Sequence, residues 1–358
     1  MANIIRPVTS RLENVLHRFA LLSFNASLAS FDLTHQLSGL STDLNAVVKD
    51  RSISSSTGPE SSHLKATELN PPNNSYSNAA QGGGARSFLP IVFIHQSNSD
   101  YLKYSLAQAN SSNPNSTIYL LGDTSNNVYD FVDHRLFSDY FQGSAQFKTI
   151  YRHYSTHGFY TELFWFQRWF ILREFLHAND IEQCLYLDSD TMLYADVTED
   201  CKKFDQFDFT LCWNTIGCVF FLNRLEGLDA FCQFVVDIYS KKDKYHYDKM
   251  ISHYAVRRRN HLNGGAGDMT ALQLYSQVNF GRVGEASHII NGSFYDPDIN
   301  MPHPGFEMDG GIKKVIWKDR QPYGRHLRTG EEIRFNSMHF QGAATKKLMG
   351  QYCIGDCD

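Results

Sequence analysis

The sequence predicts an α/β fold: a mainly parallel central sheet flanked by helices, preceded by an N-terminal helical extension. Three observations predict it. From about residue 87 onward, short apolar runs alternate with longer stretches of helical periodicity. The connections between them are short, as in βαβ units. Two carboxylates, Asp188 and Asp190, follow directly on one apolar run, at the strand end where such sheets bind ligands.

The elements follow in chain order. Residues 1–50 carry Leu12, Val15, Leu16, Phe19, Leu33, Leu37 and Leu40 at helical spacing, which reads as one or two amphipathic helices suited to packing or dimerisation. Residues 51–86 are rich in Ser, Asn, Pro and Gly and read as a flexible linker. The main domain is expected over 87–358. "LPIVFIH" (89–95) is a strand, "SDYLKYSLAQAN" (99–110) a helix with Ser99 as its N-cap, and "STIYLLGD" (116–123) the next strand. "FYTELFWFQRWFILREFLHAND" (159–180) is a long helix, and "CLYL" (184–187) is the buried strand that delivers Asp188 and Asp190.

Composition narrows the class. The chain has 358 residues, 42% of them hydrophobic, enough for a substantial core. Lys plus Arg number 33 against 38 Asp plus Glu, a net charge of −5, which lacks the basic surplus of a general nucleic-acid binder. No stretch reaches the roughly 18 consecutive apolar residues of a membrane span. Residues 19–31 are apolar but broken by Asn25 and several Ser, so no signal peptide is expected. Seven scattered Cys, of which Cys353 and Cys357 are the closest pair, read as reduced thiols in a cytoplasmic protein. In that setting the Asn-x-Ser/Thr triplets at Asn25, Asn73, Asn110, Asn115 and Asn291 carry no expectation of glycosylation.

Residues i and i+2 of an extended segment face the same way, so Asp188 and Asp190 can share a hard cation. The plain alternative is a turn or a helix cap. Arg168 sits among apolar residues in "FWFQRWFIL", and a buried guanidinium needs a carboxylate or phosphate partner. A structural ion pair with Glu162 or Glu174 is the competing account. "MHFQGAATKKLM" (338–349) offers His339 as a nitrogen ligand, Gly342 for close backbone approach, and Lys346 and Lys347 for a phosphate. Nitrogen ligation favours Mn²⁺ over Mg²⁺. A solvated surface loop is the alternative there.

Together, Asp-x-Asp after an apolar strand and His-Phe-x-Gly with a following Lys resemble the family 8 retaining glycosyltransferases, the glycogenin and lipopolysaccharide galactosyltransferase type. The resemblance covers about residues 88–349 and implies a GT-A fold, a nucleotide-sugar donor (a UDP-sugar above all) and Mn²⁺ or Mg²⁺. It implies that Asp188, Asp190 and His339 hold the metal, with Asp188 also within the donor's reach. Gly342 and Lys346 would contact the diphosphate, and Arg168 would face the donor. "CWNTIGCVFFLNRL" (212–225) resembles the family's sugar-pocket strand, with Asn214 and Gly217 one residue further apart. "NGGAGDMTALQLY" (263–275) resembles the segment near the reacting carbon. Asp268 would bind a sugar hydroxyl there, while Met269 and Thr270 replace the family's Gln and second Asp. His95 and Gln96, at the first strand end, are the expected nucleotide-base edge.

The acceptor, whether glycan, lipid-linked or protein, is not legible. Two rival functions accompany the main one: an inverting GT-A transferase with Asp268 as base, and a non-catalytic nucleotide-sugar-fold binding or scaffold protein. A phosphoryl-transfer enzyme is disfavoured, because "GGG" at 82–84 lies in the linker without the Lys-Ser/Thr of a P-loop. Aromatics at Tyr151–Tyr160 and in "SFYDPD" (293–298) suit core packing better than sugar stacking.

Overall fold

The computed structural model describes residues 88–355. The readings made for residues 1–50 and 51–86 lie outside the described residues.

The central sheet has seven strands in the order β3-β2-β1-β4-β7-β6-β8. They are β1 (Ile91–Ile94), β2 (Ile118–Gly122), β3 (Asp133–Leu136), β4 (Cys184–Leu187), β6 (Phe209–Leu211), β7 (Val219–Leu222) and β8 (Val283–Glu285). The pairs β1–β2, β2–β3, β1–β4 and β6–β8 are parallel, while β7 runs antiparallel to β4 and β6. Strands β1, β4 and β7 are wholly buried, which explains why they read as unbroken apolar runs rather than alternating ones.

Six helices of eight residues or more occur among the described residues: α1 (Leu102–Ser112), α2 (Gln142–Ile150), α3 (Phe159–Ala178), α4 (Leu225–Tyr239), α5 (Lys244–Arg259) and α6 (Asp268–Val278). One face of the sheet meets α3, whose Phe166, Trp169, Phe170 and Phe175 join Tyr186 and Phe220 in the largest apolar cluster. Leu102, Leu106 and Ala109 of α1 pack with Phe93, Leu185 and Leu187 in a second cluster. Ser99 does not cap α1 with its side chain: its hydroxyl is bonded to His95 at 3.0 Å, and Tyr101 is the cap residue.

A second sheet, β12-β13-β14-β5, stands beside the first. It contains β5 (Thr191–Leu193), β12 (Ile316–Lys318), β13 (Gln321–Arg325) and β14 (Glu332–His339), and β9 (Ser293–Asp296) adds to β14 in parallel. Two short strands, β10 (Met308–Asp309) and β11 (Ile312–Lys313), form a separate hairpin. Antiparallel pairing of β14 with β5 sets His339 opposite Thr191, and Phe340 N donates to Asp190 O at 2.9 Å. This register alone brings residues 190 and 339 together.

One expectation is corrected. Cys353 is disulfide-bonded, whereas Cys184, Cys201, Cys212, Cys218 and Cys232 are free thiols as expected. Scattered spacing gave no ground for a bridge. Next to Cys353, the chain lies on α1, where Ile354 N donates to Gln108 Oε1 at 2.9 Å. No described helix is long and apolar enough to cross a membrane.

Candidate functional site

Asp188 and Asp190 follow β4 at its carboxyl end. Asp188 N donates to Cys218 O at 3.1 Å, and Thr191 N closes back onto Asp188 O at 2.9 Å. That turn aims both carboxylates toward His339. Asp188, Asp190 and His339 each offer a ligand atom, and the three atoms lie within 4.8 Å of one another. A hard six-coordinate ion about 2.1 Å from its ligands needs neighbouring donors about 3 Å apart and opposite donors about 4.2 Å apart. Two carboxylates and an imidazole brought this close are the donor types that could hold one ion of the Mn²⁺ or Mg²⁺ kind, the imidazole favouring Mn²⁺.

The ligating tautomer is set from behind. His339 Nδ1 donates to Pro297 O at 2.6 Å, which leaves Nε2 facing Asp190 Oδ1 at 3.2 Å. Pro297 is held in turn by its neighbours. Lys313 Nζ bonds Asp296 Oδ1 at 2.7 Å and Asp298 O at 2.6 Å, and the Lys313 and Asp296 side chains are 0% exposed. Burial alone would lower the His339 pKa, but Cys218 and Asp190 outweigh it and hold it well above the usual value. Burial likewise works to raise Asp190, yet His339 and Lys346 dominate and keep that carboxyl well below the ordinary range.

Lys346 reaches the same spot. Its ammonium lies 3.0 Å from Asp190 Oδ2 and 4.7 Å over the Tyr101 ring. It sits on the short helix Ala343–Lys346, whose cap residue Gly342 has φ 97°, a left-handed conformation that glycine adopts without strain. Lys347 is exposed, so of the two lysines only Lys346 meets the cluster.

Arg168 joins two carboxylates rather than pairing with Glu162 or Glu174. Nη1 bonds Asp188 Oδ1 at 2.5 Å and Nη2 bonds Asp268 Oδ2 at 2.7 Å. Burial opposes the Arg168 charge, but Asp188, Tyr186 and Asp268 more than offset that. Asp268 opens α6 and is 3% exposed. Trp169 Nε1 also donates to its Oδ2 at 3.1 Å, and Met269 N donates to its Oδ1 at 2.8 Å. Burial pushes the Asp268 carboxyl up despite Arg168.

Other predicted residues lie at varying distance from this centre. His95 ends β1 with both ring nitrogens occupied, one by Ser189 Oγ at 2.9 Å and one by Ser99 Oγ at 3.0 Å. Burial, helped by Lys346, pushes its imidazole down to about 4. His95 thus braces the turn between the two Asp, while Gln96 beside it is exposed. Asn214 is exposed on the loop before β7, with φ 55° and its N–H held by Glu285 Oε2 at 2.8 Å. Gly217 lies where a Cβ would come within 2.4 Å of Trp169, so its smallness serves helix–sheet packing. Phe294 and Tyr295 are core residues, 0% and 2% exposed.

Several contributors were not foreseen. Tyr186 OH donates to Asp188 Oδ1 at 2.9 Å, and two-residue periodicity had already put Tyr186 on the same strand face as Asp188. Tyr101, Pro297, Lys313 and Cys218 had no such signal, because each meets the site through a contact distant in sequence.

No family model matches the chain, and no curated protein matches it. Among solved structures it is similar to mouse xyloside xylosyltransferase 1, with 10% identity over 58% of this chain and 88% of that one, at a TM-score of 0.39. It is similar to an active-site mutant of LgtC, with 11% identity over 74% and 95% of the two chains, at a TM-score of 0.37. It is also similar to the WbbM bifunctional glycosyltransferase, with 12% identity over 74% of this chain and 48% of that one, at a TM-score of 0.37.

Proposed function

We propose that the chain is a glycosyltransferase that moves a sugar from a nucleotide-diphosphate donor, a UDP-sugar in the first instance, to an acceptor of unassigned identity. The observation that carries the reading is the convergence of Asp188, Asp190 and His339 within 4.8 Å, with the Lys346 ammonium 3.0 Å from Asp190. Departure of a nucleotide diphosphate from a sugar carbon builds negative charge on the leaving oxygens, and fixed cations there stabilise the transition state more than the ground state. When bound, a divalent ion supplies Lewis-acid neutralisation of that charge. Asp188, Asp190 and His339 are the residues that would hold it.

The chain's own groups do the remainder. Lys346, on the short helix that Gly342 opens, turns its ammonium from Asp190 to the diphosphate when donor arrives. Arg168 orders Asp188 so that Oδ1 is engaged and Oδ2 remains available. Asp268 has both oxygens committed to Arg168, Trp169 and Met269 N. A carboxylate so engaged is better suited to positioning Arg168, and to meeting a sugar hydroxyl, than to acting as the free base of an inverting reaction. Retention is therefore the favoured outcome.

The test is thermal shift and calorimetry of the full chain with UDP-, GDP- and CMP-sugars, with and without Mn²⁺, followed by Mn²⁺-dependent donor hydrolysis. Tight UDP-sugar binding that requires Mn²⁺ and disappears in Asp190→Ala is expected. A chain that binds no nucleotide under either condition is not a transferase of this kind. Anomer analysis of the product by NMR separates retention from inversion.

A further inference from the structure

One surface carries a charge opposite to the rest of the molecule. Between Lys241 and Arg259 lie seven Lys and Arg against two Asp, in a chain of net charge −5. The segment is α5 and the turn before it. Tyr247 and Met250 on its inner face belong to the largest apolar cluster, and Tyr247 OH meets Tyr154 OH at 2.7 Å. Its outer face shows Lys241, Lys242, Lys244, Tyr245, Val256, Arg258 and Arg259, all exposed among the described residues.

Three of these cations have partners: Lys241 lies 5.0 Å over the Tyr247 ring, and two lysines meet carboxylates. Lys242 lies 3.8 Å from Asp237 and Lys244 lies 2.6 Å from Asp248, but the two lysine side chains are 71% and 77% exposed. Exposed pairs of this kind hold little energy, so both ammonium groups stay available to a stronger anionic field. Tyr245 is 57% exposed and Val256 43%. Lys249 lies 5.3 Å over the Tyr245 ring, so cation and aromatic share this face.

We infer that the outer face of α5 docks on an anionic lipid bilayer. The cations do not converge on a pocket. Lys241, Lys242 and Lys244 stand at one end of a 16-residue helix and Arg258 and Arg259 at the other, about 24 Å apart at 1.5 Å per residue, with exposed Asp248 and Ser252 between them, a spacing that suits an extended anionic surface rather than a point ligand. Tyr245 and Val256 add the apolar contact that membrane-surface helices make at headgroup depth, and the Lys and Arg stems add more. The rest of the chain carries a net negative charge, so an anionic surface favours approach by this face. Docking needs nothing from the proposed reaction, and its test does not read turnover.

The experiment is co-sedimentation of the full chain with vesicles of phosphatidylcholine, with and without phosphatidylglycerol. Binding is expected only to the phosphatidylglycerol vesicles, and it should vanish in about 1 M salt, where the Debye length falls to about 3 Å. Combining Lys241→Gln, Lys242→Gln, Arg258→Gln and Arg259→Gln should weaken binding at least about tenfold, since each basic residue near an anionic surface contributes several-fold. Tyr245→Ser should weaken it less. Unchanged thermal melting of both variants excludes misfolding as the cause. Equal binding to both vesicle types, no binding, or full binding by the Gln variant would overturn the inference. Retention on heparin without vesicle binding would do so too, and would make an acidic polymer the partner.

Discussion

Two Asp-x-Asp segments end apolar strands in this chain, Asp188-Ser189-Asp190 after β4 and Asp296-Pro297-Asp298 after β9, and the structure treats them oppositely. At the first, three cationic groups approach, Arg168, His339 and Lys346, and the Lys346 side chain is 28% exposed. Asp188 is only part-buried, so the cluster has access to solvent. At the second, Asp296 and Asp298 are 0% and 1% exposed, and the Lys313 ammonium closes the pair. Asp298 Oδ1 is spent on Asn300, which donates from both its backbone and its side chain at 2.9 and 2.8 Å. The first segment, with His339, forms a group of donors that could hold a cation. The second already contains one, and it holds Pro297 O against His339. Identical spacing thus yields a candidate site and its scaffold.

The comparison can be broken most forcefully at Lys313. Lys313→Met strands the Asp296 carboxylate in the core, where an unpaired charge costs about 3–5 kcal/mol, measurable by denaturant unfolding. Adding Asp296→Leu to Lys313→Met should recover most of the loss. If the single change costs under about 1 kcal/mol, the second segment is not a lock.

At the first segment the expected loss is in binding rather than folding. Asp190→Asn should weaken Mn²⁺ affinity by more than about 100-fold in a chain that is still folded, read by calorimetry or Mn²⁺ electron paramagnetic resonance. Retained affinity would remove Asp190 from the site.

A smaller effect concerns His95, which braces Ser189. Its imidazole titrates near 6.5 when unfolded and near 4 when folded. Between those values the unfolded chain carries more protons, so stability rises with pH across the window and is lost as pH falls through it. His95→Asn should flatten that slope by on the order of 2 kcal/mol in unfolding measured from pH 4 to 6.5. An unaltered slope would show that His95 is not held neutral.

The mildest change is Tyr186→Phe. It removes one of two donors to Asp188 Oδ1 while Arg168 remains. Mn²⁺ affinity should fall less than about tenfold. A much larger loss would mean that Tyr186, not Arg168, is the main tether.

Much of this was legible before the fold was known. The helix read over 159–180 appears as Phe159–Ala178, and the strand read over 184–187 appears with those bounds. Both are long or strongly apolar, and their signals are local. Arg168 was singled out because a buried guanidinium demands partners, and its partners are Asp188 and Asp268. The partners of His95, Ser189 and Ser99, were not legible, since nothing in a strand end says which neighbour will reach it.

By itself the sequence determined the first strands and helices of the main domain, over 89–123 and 159–187, and which charged residues stand where charge is costly. Those properties follow from local periodicity and from the expense of burying charge, and both act over a few residues. Only the tertiary structure decided which Asp-x-Asp is open and which is closed. It did so through the β5–β14 register that sets His339 beside Asp190, and through the turn that sends Lys313 under β9. Those meetings join residues up to 149 positions apart, as with 190 and 339, and no local pattern encodes such a distance.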